Sequence, residues 1–335
     1  MNTIALLQEH NFAQQMDDIV IPFLDSHKTI KNVDSCKGGE IHCKSFIPDG
    51  DYHSTLVIFH GFCEFSSKYD EFIYHALKQG FSVCIFEHRG HGFSSRNDII
   101  NENYSIVDID SYDTYVTDAK TVVETIAKPL ANGKPLFLFS HSMGGAIATL
   151  YLSKYANDFT SAILDAPMLQ ISITKLPFWM GRLAASFLQL FYGKGKLIVS
   201  HREFSFDHVF NEEKEAATSV SRYNYFYNKR KTNKLWQTWG ASNRWVCQTI
   251  DALRLCNKKS LLKKITAPIL LFQAEKDIVV CPAGQDNFVK HVKSAEKVIV
   301  KDSDHEMFIG KTELAISWYE KIYSFYEKFL NNKGR

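Results

Sequence analysis

The stretch Pro135-Leu-Phe-Leu-Phe-Ser-His-Ser-Met-Gly-Gly145 decides the fold, because it joins an apolar run to a glycine-rich turn. The apolar run is typical of a buried strand, and residues 146–152 are typical of a helix. Ser142 lies between the two, where a strained strand-to-helix turn lifts a nucleophilic serine above a sheet. The backbone N–H of Met143, at the start of the helix, is placed to hold a negatively charged oxygen. The pattern therefore predicts Ser142 as a nucleophile.

One position departs from the usual G-x-S-x-G pattern, because Ser140 stands where the first glycine is expected. Serine is small enough for the close crossing of strand and helix, so the departure weakens the prediction only mildly. Short serine and glycine patterns also arise by chance, and the alternative is an ordinary tight connection. The strand before Ser142 and the helix after it favour the catalytic interpretation.

Length and composition predict a large core, in one domain with an insertion or in two domains. The chain has 335 residues, 45% of them hydrophobic, and a formal net charge of +2. The near-neutral charge gives no overall sign of nucleic-acid binding. The seven cysteines are scattered without a C-x-x-C pair. That argues against a disulfide framework or a zinc site and favours a reducing compartment.

The N-terminus predicts a cytoplasmic protein. Residues 1–10 lack the basic region of a signal peptide, and no uncharged apolar stretch is long enough to span a bilayer. We therefore expect a soluble protein, attached at most to the inner face of a membrane. The sequence does not indicate an oligomeric state.

Outside residues 168–260, apolar runs alternate with helical patterns. The runs that are typical of buried strands are residues 55–59, 81–86, 135–139, 161–164, 268–272 and 297–300. This alternation predicts an α/β fold with a mostly parallel sheet and helices on both faces. Two strand-like runs, around Ile30 and at residues 41–46, come before it. Residues up to about Asp25 look like an amphipathic lead-in that carries little information.

Residues 168–260 break the alternation and are rich in aromatic side chains. We expect them to form a helical cap inserted into an α/β core of residues 1–167 and 261–335. Five apolar residues of this segment lie close to one helical face: Trp179, Leu183, Phe187, Leu190 and Phe191. One interpretation is that they pack the cap onto the sheet. The other interpretation is that they form an apolar lid over an acyl-chain pocket, and that this lid touches a membrane. Trp179 and Phe187 are then candidates for substrate binding.

An aromatic and basic stretch at residues 222–234 includes Lys229-Arg-Lys231. Such a composition can indicate nucleic-acid binding, but no binding motif accompanies it. We interpret it as a solvated helix face with packed tyrosines and expect no nucleic-acid partner.

A serine hydroxyl needs a base, and the base needs a carboxylate that fixes its tautomer. Asp277 follows the strand-like run that ends at residue 272, and His305 follows the run that ends at residue 300. The order Ser, Asp, His is the one expected of this architecture. Because sites in parallel sheets lie beyond the carboxyl ends of the strands, Ser142, Asp277 and His305 are predicted to meet there.

Three other carboxylates compete with Asp277 for this role. Glu275 lies two residues earlier on the same loop, and Asp302 and Asp304 are sequence neighbours of His305. We prefer Asp277 because it sits farther along the loop, and interpret Asp302 and Asp304 as turn residues.

A second donor to the negative oxygen is expected on the loop after residue 59. In His60-Gly61-Phe62, the glycine lets the backbone approach a substrate, and the N–H of Phe62 can point inward. For His60 we favour a buried role that holds loops by hydrogen bonds over that of a catalytic base.

The chain resembles the α/β-hydrolases of the group that contains the monoacylglycerol lipases and the bacterial lysophospholipases. The stretches that carry the resemblance are His60-Gly-Phe-Cys-Glu64, Glu87-His-Arg-Gly-His-Gly-Phe-Ser94, Ser140-His-Ser-Met-Gly-Gly145, Asp165-Ala-Pro-Met168 and Gln273-Ala-Glu-Lys-Asp277, with the region of His305. They run through most of the chain beyond the first thirty or so residues. Cys63 and Phe65 depart from the glycine and histidine that the lipases usually show.

The resemblance implies a serine hydrolase without a cofactor or metal, which cleaves a carboxylic ester of a lipid with one acyl chain. It implies Ser142 as nucleophile, Asp277 as orienting acid and His305 as base, with Phe62 and Met143 as oxyanion donors. The expected substrate is a small lipid, either a lysophospholipid or a monoacylglycerol.

Two other functions stay open at this point. An aminopeptidase or amidase acting on small substrates would be favoured by an acidic cluster in the cap, but the cap is more basic than acidic. A non-catalytic binding protein can use the same fold, and such proteins often lack one catalytic residue. All three candidates are present here.

Overall fold

The computed structural model describes residues 4, 6–97, 102–171, 178–213 and 215–330. The strands are β1 (Lys28–Asp34), β2 (Glu40–Phe46), β3 (Ser54–Phe59), β4 (Phe81–Phe86), β5 (Ile106–Val107), β6 (Leu136–His141), β7 (Ser161–Asp165), β8 (Gly240–Ala241), β9 (Ile269–Ala274) and β10 (Ala295–Val300). Eight of them form one sheet in the order β1-β2-β4-β3-β6-β7-β9-β10, and β5 pairs with β8.

The large sheet is parallel from β4 to β10, and only the pairs made by β2 are antiparallel. Phe59 lies opposite both Phe86 and Ser140, and His141 lies opposite Asp165. The carboxyl ends of β3, β4, β6 and β7 therefore lie at the same edge of the sheet, and the loops that follow these strands lie side by side. The predicted α/β fold with a mostly parallel sheet is confirmed.

Helices cover both faces of the sheet. They are α1 (Phe12–Gln15), α2 (Ile21–His27), α3 (Asp70–Lys78), α4 (Tyr112–Val122), α5 (Lys128–Ala131), α6 (Met143–Lys154), α7 (Phe178–Tyr192), α8 (Val220–Lys231), α9 (Asn243–Cys256), α10 (Lys259–Leu262), α11 (Pro282–His291) and α12 (Thr312–Glu327). Short 3₁₀ turns lie at Glu9–Asn11, Ser66–Tyr69, Lys234–Trp236 and Met307–Ile309. Wider π turns at Met16–Val20 and Val123–Ala127 join α1 to α2 and α4 to α5.

Alternating side chains of the central strands divide the core into two layers. On β3, Val57 and Phe59 belong to the layer that contains residues of α4, α6 and α9. Leu56 and Ile58 belong to the layer of α3 and α12. Because both faces of the strand are covered, β3 is apolar throughout its middle rather than alternating in polarity.

The N-terminal segment is part of this core. Phe12, Met16 and Val20 are fully buried in the same layer as α12. The segment up to about Asp25 is amphipathic, as predicted, but it belongs to the core and is not merely a lead-in to it. Its short helices supply one wall of the core.

The chain between β7 and β9 contains α7 to α10 and the short strand β8. Helix α9 packs against α4, α6 and α7, and α8 packs against α1. This segment is helical, as predicted for the cap, while its bounds at residues 168 and 260 stay a prediction. No helix in the described ranges has both the length and the apolarity that crossing a bilayer requires.

Candidate active site

Ser142 sits on a strained turn between β6 and α6. Its φ is 50°, in the left-handed region that non-glycine residues rarely adopt. A Cβ on Gly144 would lie 2.1 Å from the carbonyl oxygen of Phe59, and one on Gly145 would lie 2.5 Å from the Cβ of Pro167. Glycine is therefore required at both positions, because the helix crosses these neighbours at close range.

Ser140, which replaces the first glycine of the pattern, fits without disturbing the strand. It is fully buried on β6, and its hydroxyl donates a hydrogen bond of 3.2 Å to the carbonyl oxygen of Ile163 on β7. The extra hydroxyl is satisfied by the neighbouring strand, so the departure leaves the turn intact.

The structure brings together the three residues predicted as a triad. The Oγ of Ser142 lies 2.8 Å from Nε2 of His305, and Nδ1 of His305 lies 2.8 Å from Oδ2 of Asp277. With the Nδ1 proton donated to the carboxylate, Nε2 is free to accept the serine proton. Ser142 and His305 are both buried. The arrangement can therefore activate an alcohol in a site that is largely screened from water.

The loop after β9 fixes Asp277. Its Oδ1 accepts hydrogen bonds from the backbone N–H of Val279 at 2.8 Å and of Val280 at 2.9 Å. Burial acts to raise the pKa of Asp277, but the hydrogen bond and charge of His305 and these two N–H groups outweigh it and lower the pKa. Glu275 instead accepts from the N–H of Asp302 at 2.9 Å. Of the carboxylates considered, Asp277 is the one that contacts His305.

The two predicted oxyanion donors follow the ends of neighbouring strands. Met143 is the first residue of α6, and Phe62 follows β3, the strand next to β6. The Phe62 loop is held by Glu64, whose Oε2 accepts from the N–H of Gly61 at 2.5 Å. His60 bridges this loop to the next, because its Nδ1 contacts the Gly61 carbonyl at 2.7 Å and its Nε2 accepts from the N–H of His88 at 2.8 Å.

A buried polar layer lies directly behind the triad. The ring of His141 is 4.8 Å from the ring of His305, centre to centre, and its Nδ1 is 3.0 Å from Oδ2 of Asp165. The indole of Trp318 donates to the other oxygen of Asp165 at 2.9 Å. Burial opposes protonation of His141, but the negative charges of Glu64 and Asp165 outweigh it and raise its pKa.

Glu64 continues this layer toward the substrate side. It accepts from the hydroxyl of Tyr69 at 2.6 Å and from Lys68 at 3.1 Å, and Lys68 also contacts Glu306 at 2.5 Å. Burial acts to raise the pKa of Glu64, but the charges of Lys68 and His141 lower it on balance. Nothing in the spacing of these residues along the chain indicates that they meet, so the sequence predicts no role for them. The one available signal was a glutamate in the same stretch as the candidate donor Phe62.

A cavity of about 520 Å³ opens beside the triad. On the sheet side it is lined by Phe62, by Val279 from the loop of Asp277 and by Glu306, the neighbour of His305. On the side of the helical insertion it is lined by residues that include Tyr227, Arg230 and Trp239. The triad residues themselves are not among its lining residues, but their sequence neighbours are, which makes this the candidate substrate cavity.

The two cap residues proposed to bind substrate lie elsewhere. Trp179 is 68% exposed and Phe187 53% exposed on α7, and neither lines this cavity. Helix α7 packs on α9, and its small residues Gly181 and Ala185 are buried, while all five side chains of the predicted stripe are exposed. The interpretation that the stripe packs the cap onto the sheet is therefore wrong.

The basic stretch on α8 also differs from its prediction. Arg222 is only 1% exposed and Arg230 only 7% exposed. The interpretation of residues 222–234 as a solvated helix face is wrong for these two cations, which are turned into the protein. The partners of Arg222 come from segments far away in the chain, whereas Arg230 contacts both the distant Cys63 and the nearby Trp236 and Thr238.

The order of the strands and the serine turn after β6 define an α/β-hydrolase. A carboxyl esterase from Bacillus coagulans, solved with glycerol, shares the fold with a TM-score of 0.73 at 18% identity, and the match covers 91% of this chain and 99% of that chain. Residues 50–311 match the family described as serine aminopeptidase, S33, and the protein belongs to this family of serine hydrolases.

Two curated relatives are lipid hydrolases by name. Lysophospholipase L2 of Escherichia coli (strain K12) is 25% identical over 84% of this chain and 82% of its own length. Monoglyceride lipase of Mus musculus is 28% identical over 44% of this chain and 45% of its own. The second match covers less than half of either protein.

Proposed function

We propose that this protein hydrolyses the carboxylic ester of a lipid with a single acyl chain, a lysophospholipid or a monoacylglycerol. The observation that carries the proposal is the continuous hydrogen-bond chain from Ser142 through His305 to Asp277, with both distances at 2.8 Å. The names of the relatives, lysophospholipase and monoglyceride lipase, support the choice of lipid.

The proposed mechanism uses a covalent acyl-enzyme. His305 takes the proton of Ser142 as its oxygen attacks the ester carbonyl, and Asp277 stabilises the imidazolium that forms. The N–H groups of Phe62 and Met143 hold the oxyanion. His305 then gives its proton to the leaving alcohol, and a water molecule, activated by the same histidine, releases the fatty acid.

Replacing Ser142 tests this mechanism. We expect Ser142→Ala to lower the kcat for a short-chain ester by several orders of magnitude and to abolish labelling by a fluorophosphonate, since the nucleophile is gone. Ser140→Ala is the matched control, because Ser140 lies two residues earlier, on β6, and among the described residues its hydroxyl contacts the Ile163 carbonyl alone. Full activity in Ser142→Ala would refute the mechanism, and inactivity of the wild-type protein on every substrate would favour a non-catalytic binder.

The family description also names an aminopeptidase, which makes amide hydrolysis the second candidate. The cavity does contain carboxylates that a substrate ammonium group could meet. However, Glu215 contacts His208 at 2.6 Å, and Glu64 and Glu306 share Lys68. Because these acidic groups already have cationic or hydrogen-bonding partners, we favour the ester. A panel of aminoacyl arylamides beside lipid esters separates the two, and a higher kcat/KM for the arylamides would reverse the choice.

We further propose that residues 168–260 act as the cap of this site and that α7 brings the protein to a lipid surface on the cytoplasmic side. Leu190 and Phe191 are 76% and 75% exposed, an unusual position for two adjacent large apolar side chains. A helix with an exposed apolar face can bind at a bilayer interface, where the proposed lipid substrate is located.

Vesicle sedimentation tests the surface contact. We expect Leu190→Ser/Phe191→Ser to lower the fraction bound to phosphatidylcholine vesicles several-fold while activity on a soluble ester is kept. Ile30→Ser, an exposed apolar residue on β1, is the matched control. Equal binding of both variants would contradict a role for α7.

A further inference from the structure

The cavity beside the triad holds two buried cations that differ in their surroundings. Lys68 lies between two carboxylates, at 3.1 Å from Glu64 and 2.5 Å from Glu306. Its charge is therefore compensated within the protein. Arg230, on α8, lines the same cavity and has a different set of partners.

Arg230 is held by neutral groups. Its Nη1 is 2.8 Å from the carbonyl oxygen of Cys63, 3.1 Å from that of Trp236 and 2.6 Å from that of Thr238. Its guanidinium carbon also lies 5.1 Å and 5.4 Å from the ring centres of Phe65 and Trp239. Among the described residues, no carboxylate lies within 4 Å of it. Glu306 and Glu64 favour its charge from farther away, but both of these carboxylates are paired with Lys68. The protein therefore fixes this cation firmly without giving it an ion-pair partner of its own among the described residues.

A buried guanidinium without a paired anion is costly, because the group has left water and gained no direct ion pair in return. The hydrogen bonds of Arg230 to the described residues all leave from Nη1, so the other edge of the planar group is not engaged by them. A guanidinium edge presents two parallel N–H donors, the arrangement that suits two oxygens of a phosphate.

The position of Arg230 relative to the proposed chemistry fits such an anion. It contacts the carbonyl of Cys63, the residue directly after the proposed oxyanion donor Phe62. In a lysophospholipid, the glycerol joins the acyl ester to a phosphodiester only a few bonds away. An ester carbonyl at Ser142 with the glycerol pointing into the cavity directs that phosphodiester toward the Arg230 side.

We propose that Arg230 binds the phosphodiester of a lysophospholipid head group, so that the enzyme favours lysophospholipids over monoacylglycerols. This inference rests on the proposed function and names the substrate class within it. Arg230 thus acts as a specificity residue: it selects the head group and takes no part in the proton transfers at Ser142.

The decisive measurement is a ratio of two kcat/KM values. Octanoyl lysophosphatidylcholine and monooctanoylglycerol carry the same acyl chain and are compared for the wild-type protein, Arg230→Met, Arg230→Lys and Lys234→Met. We expect Arg230→Met to lower the ratio of lysophospholipid to monoacylglycerol kcat/KM by about tenfold to a hundredfold, the range for one charge-assisted contact. Arg230→Lys keeps the positive charge but lacks the two parallel N–H donors, so its ratio should lie between those of the wild type and Arg230→Met. Lys234→Met, an exposed cation near the end of the same helix, should leave the ratio unchanged.

A purely structural role for Arg230 gives a different result, because it would lower both kcat/KM values by the same factor. That outcome would overturn the proposal while leaving the ester hydrolase intact. Failure of the wild-type protein on both lipids would instead refute the proposed function.

A second measurement does not depend on the folding of a variant. Glycerophosphocholine should inhibit hydrolysis of p-nitrophenyl butyrate by the wild-type protein at least tenfold more strongly than glycerol does. Inhibition no stronger than that by glycerol would overturn the proposal, even if the Arg230 variants proved unstable.

Discussion

Helices α7 and α8 lie in the same insertion but differ in which side chains they bury: α7 exposes large apolar residues, and α8 buries cations. Helix α7 is rich in large apolar residues, and it leaves most of them in solvent while burying Gly181 and Ala185 against α9. Helix α8 carries a basic run, and it buries Arg222 and Arg230. The side that a helix buries here follows from the partners that other segments offer, rather than from its own hydropathy.

The partners of Arg222 make this clear. Its Nε and Nη2 each lie 2.8 Å from the Glu71 carboxylate on α3, and it also contacts Glu9, in the N-terminal segment. Its Nη2 donates to the carbonyl of Leu7 at 3.1 Å. A buried cation is tolerated when an anion and carbonyls surround it, and these groups come from well over a hundred residues away. Helix α7 has no comparable partner among the described residues for its outer face.

The largest expected effect is the loss of the Arg222 charge. We expect Arg222→Met to lower the free energy of unfolding by about 3–5 kcal/mol, since it leaves the buried Glu71 carboxylate without its cation. Urea denaturation followed by tryptophan fluorescence measures the change. Arg254→Met, an exposed arginine on α9, is the control and should change stability by no more than about 0.5 kcal/mol. Similar small losses in both variants would mean that the buried charge on α8 is not a stabilising contact.

The same contact should show in the pH dependence of stability. Burial acts to raise the pKa of Glu71, but His75 and Arg222 outweigh it and hold the pKa below 4.5. A lowered carboxyl pKa stabilises the folded state above the ordinary pKa, and this contribution is lost as pH falls through the folded value. We therefore expect the stability difference between the wild type and Arg222→Met to shrink as pH falls from 6 to 3. A difference that stays constant would assign the destabilisation to lost packing instead.

A smaller effect is expected on the buried side of α7. Ala185 is 2% exposed beside α9, so Ala185→Leu should overpack the contact and lower the free energy of unfolding by about 1–3 kcal/mol. Thermal unfolding and urea titration both measure it. An unchanged stability would show that α7 does not pack on α9 as closely as described.

The smallest effect is expected on the outer side of the same helix. Leu190→Ser/Phe191→Ser should change the free energy of unfolding by no more than about 0.5 kcal/mol, because exposed side chains lose little when shortened. Compared with Ala185→Leu, this variant shows how much each face of α7 contributes to the free energy of unfolding. A loss of more than 1 kcal/mol would mean that another part of the chain covers these side chains in solution.

The parts of the molecule that the sequence predicts are those that depend on local pattern. Apolar runs between helical stretches indicate a parallel sheet, and strand ends bring Ser142, Asp277 and His305 to one edge by geometry alone. The layer of Glu64, His141 and Asp165 could not be predicted in this way, because these residues meet only through side-chain contacts between separate loops. The burial of Arg222 and Arg230 likewise depends on anions, carbonyls and rings that no local pattern reveals.

The anchoring of the segment around Glu9 has a consequence for how the chain folds. Glu9 accepts a hydrogen bond of 3.2 Å from the N–H of Thr312, and the hydroxyl of Thr312 donates to the carbonyl of Leu7 at 3.0 Å. These bonds join residues that are 303 and 305 positions apart in the sequence. Contacts of such large sequence separation form slowly, because a long loop must close before they contribute any stability. We therefore expect this seam to be completed late in folding.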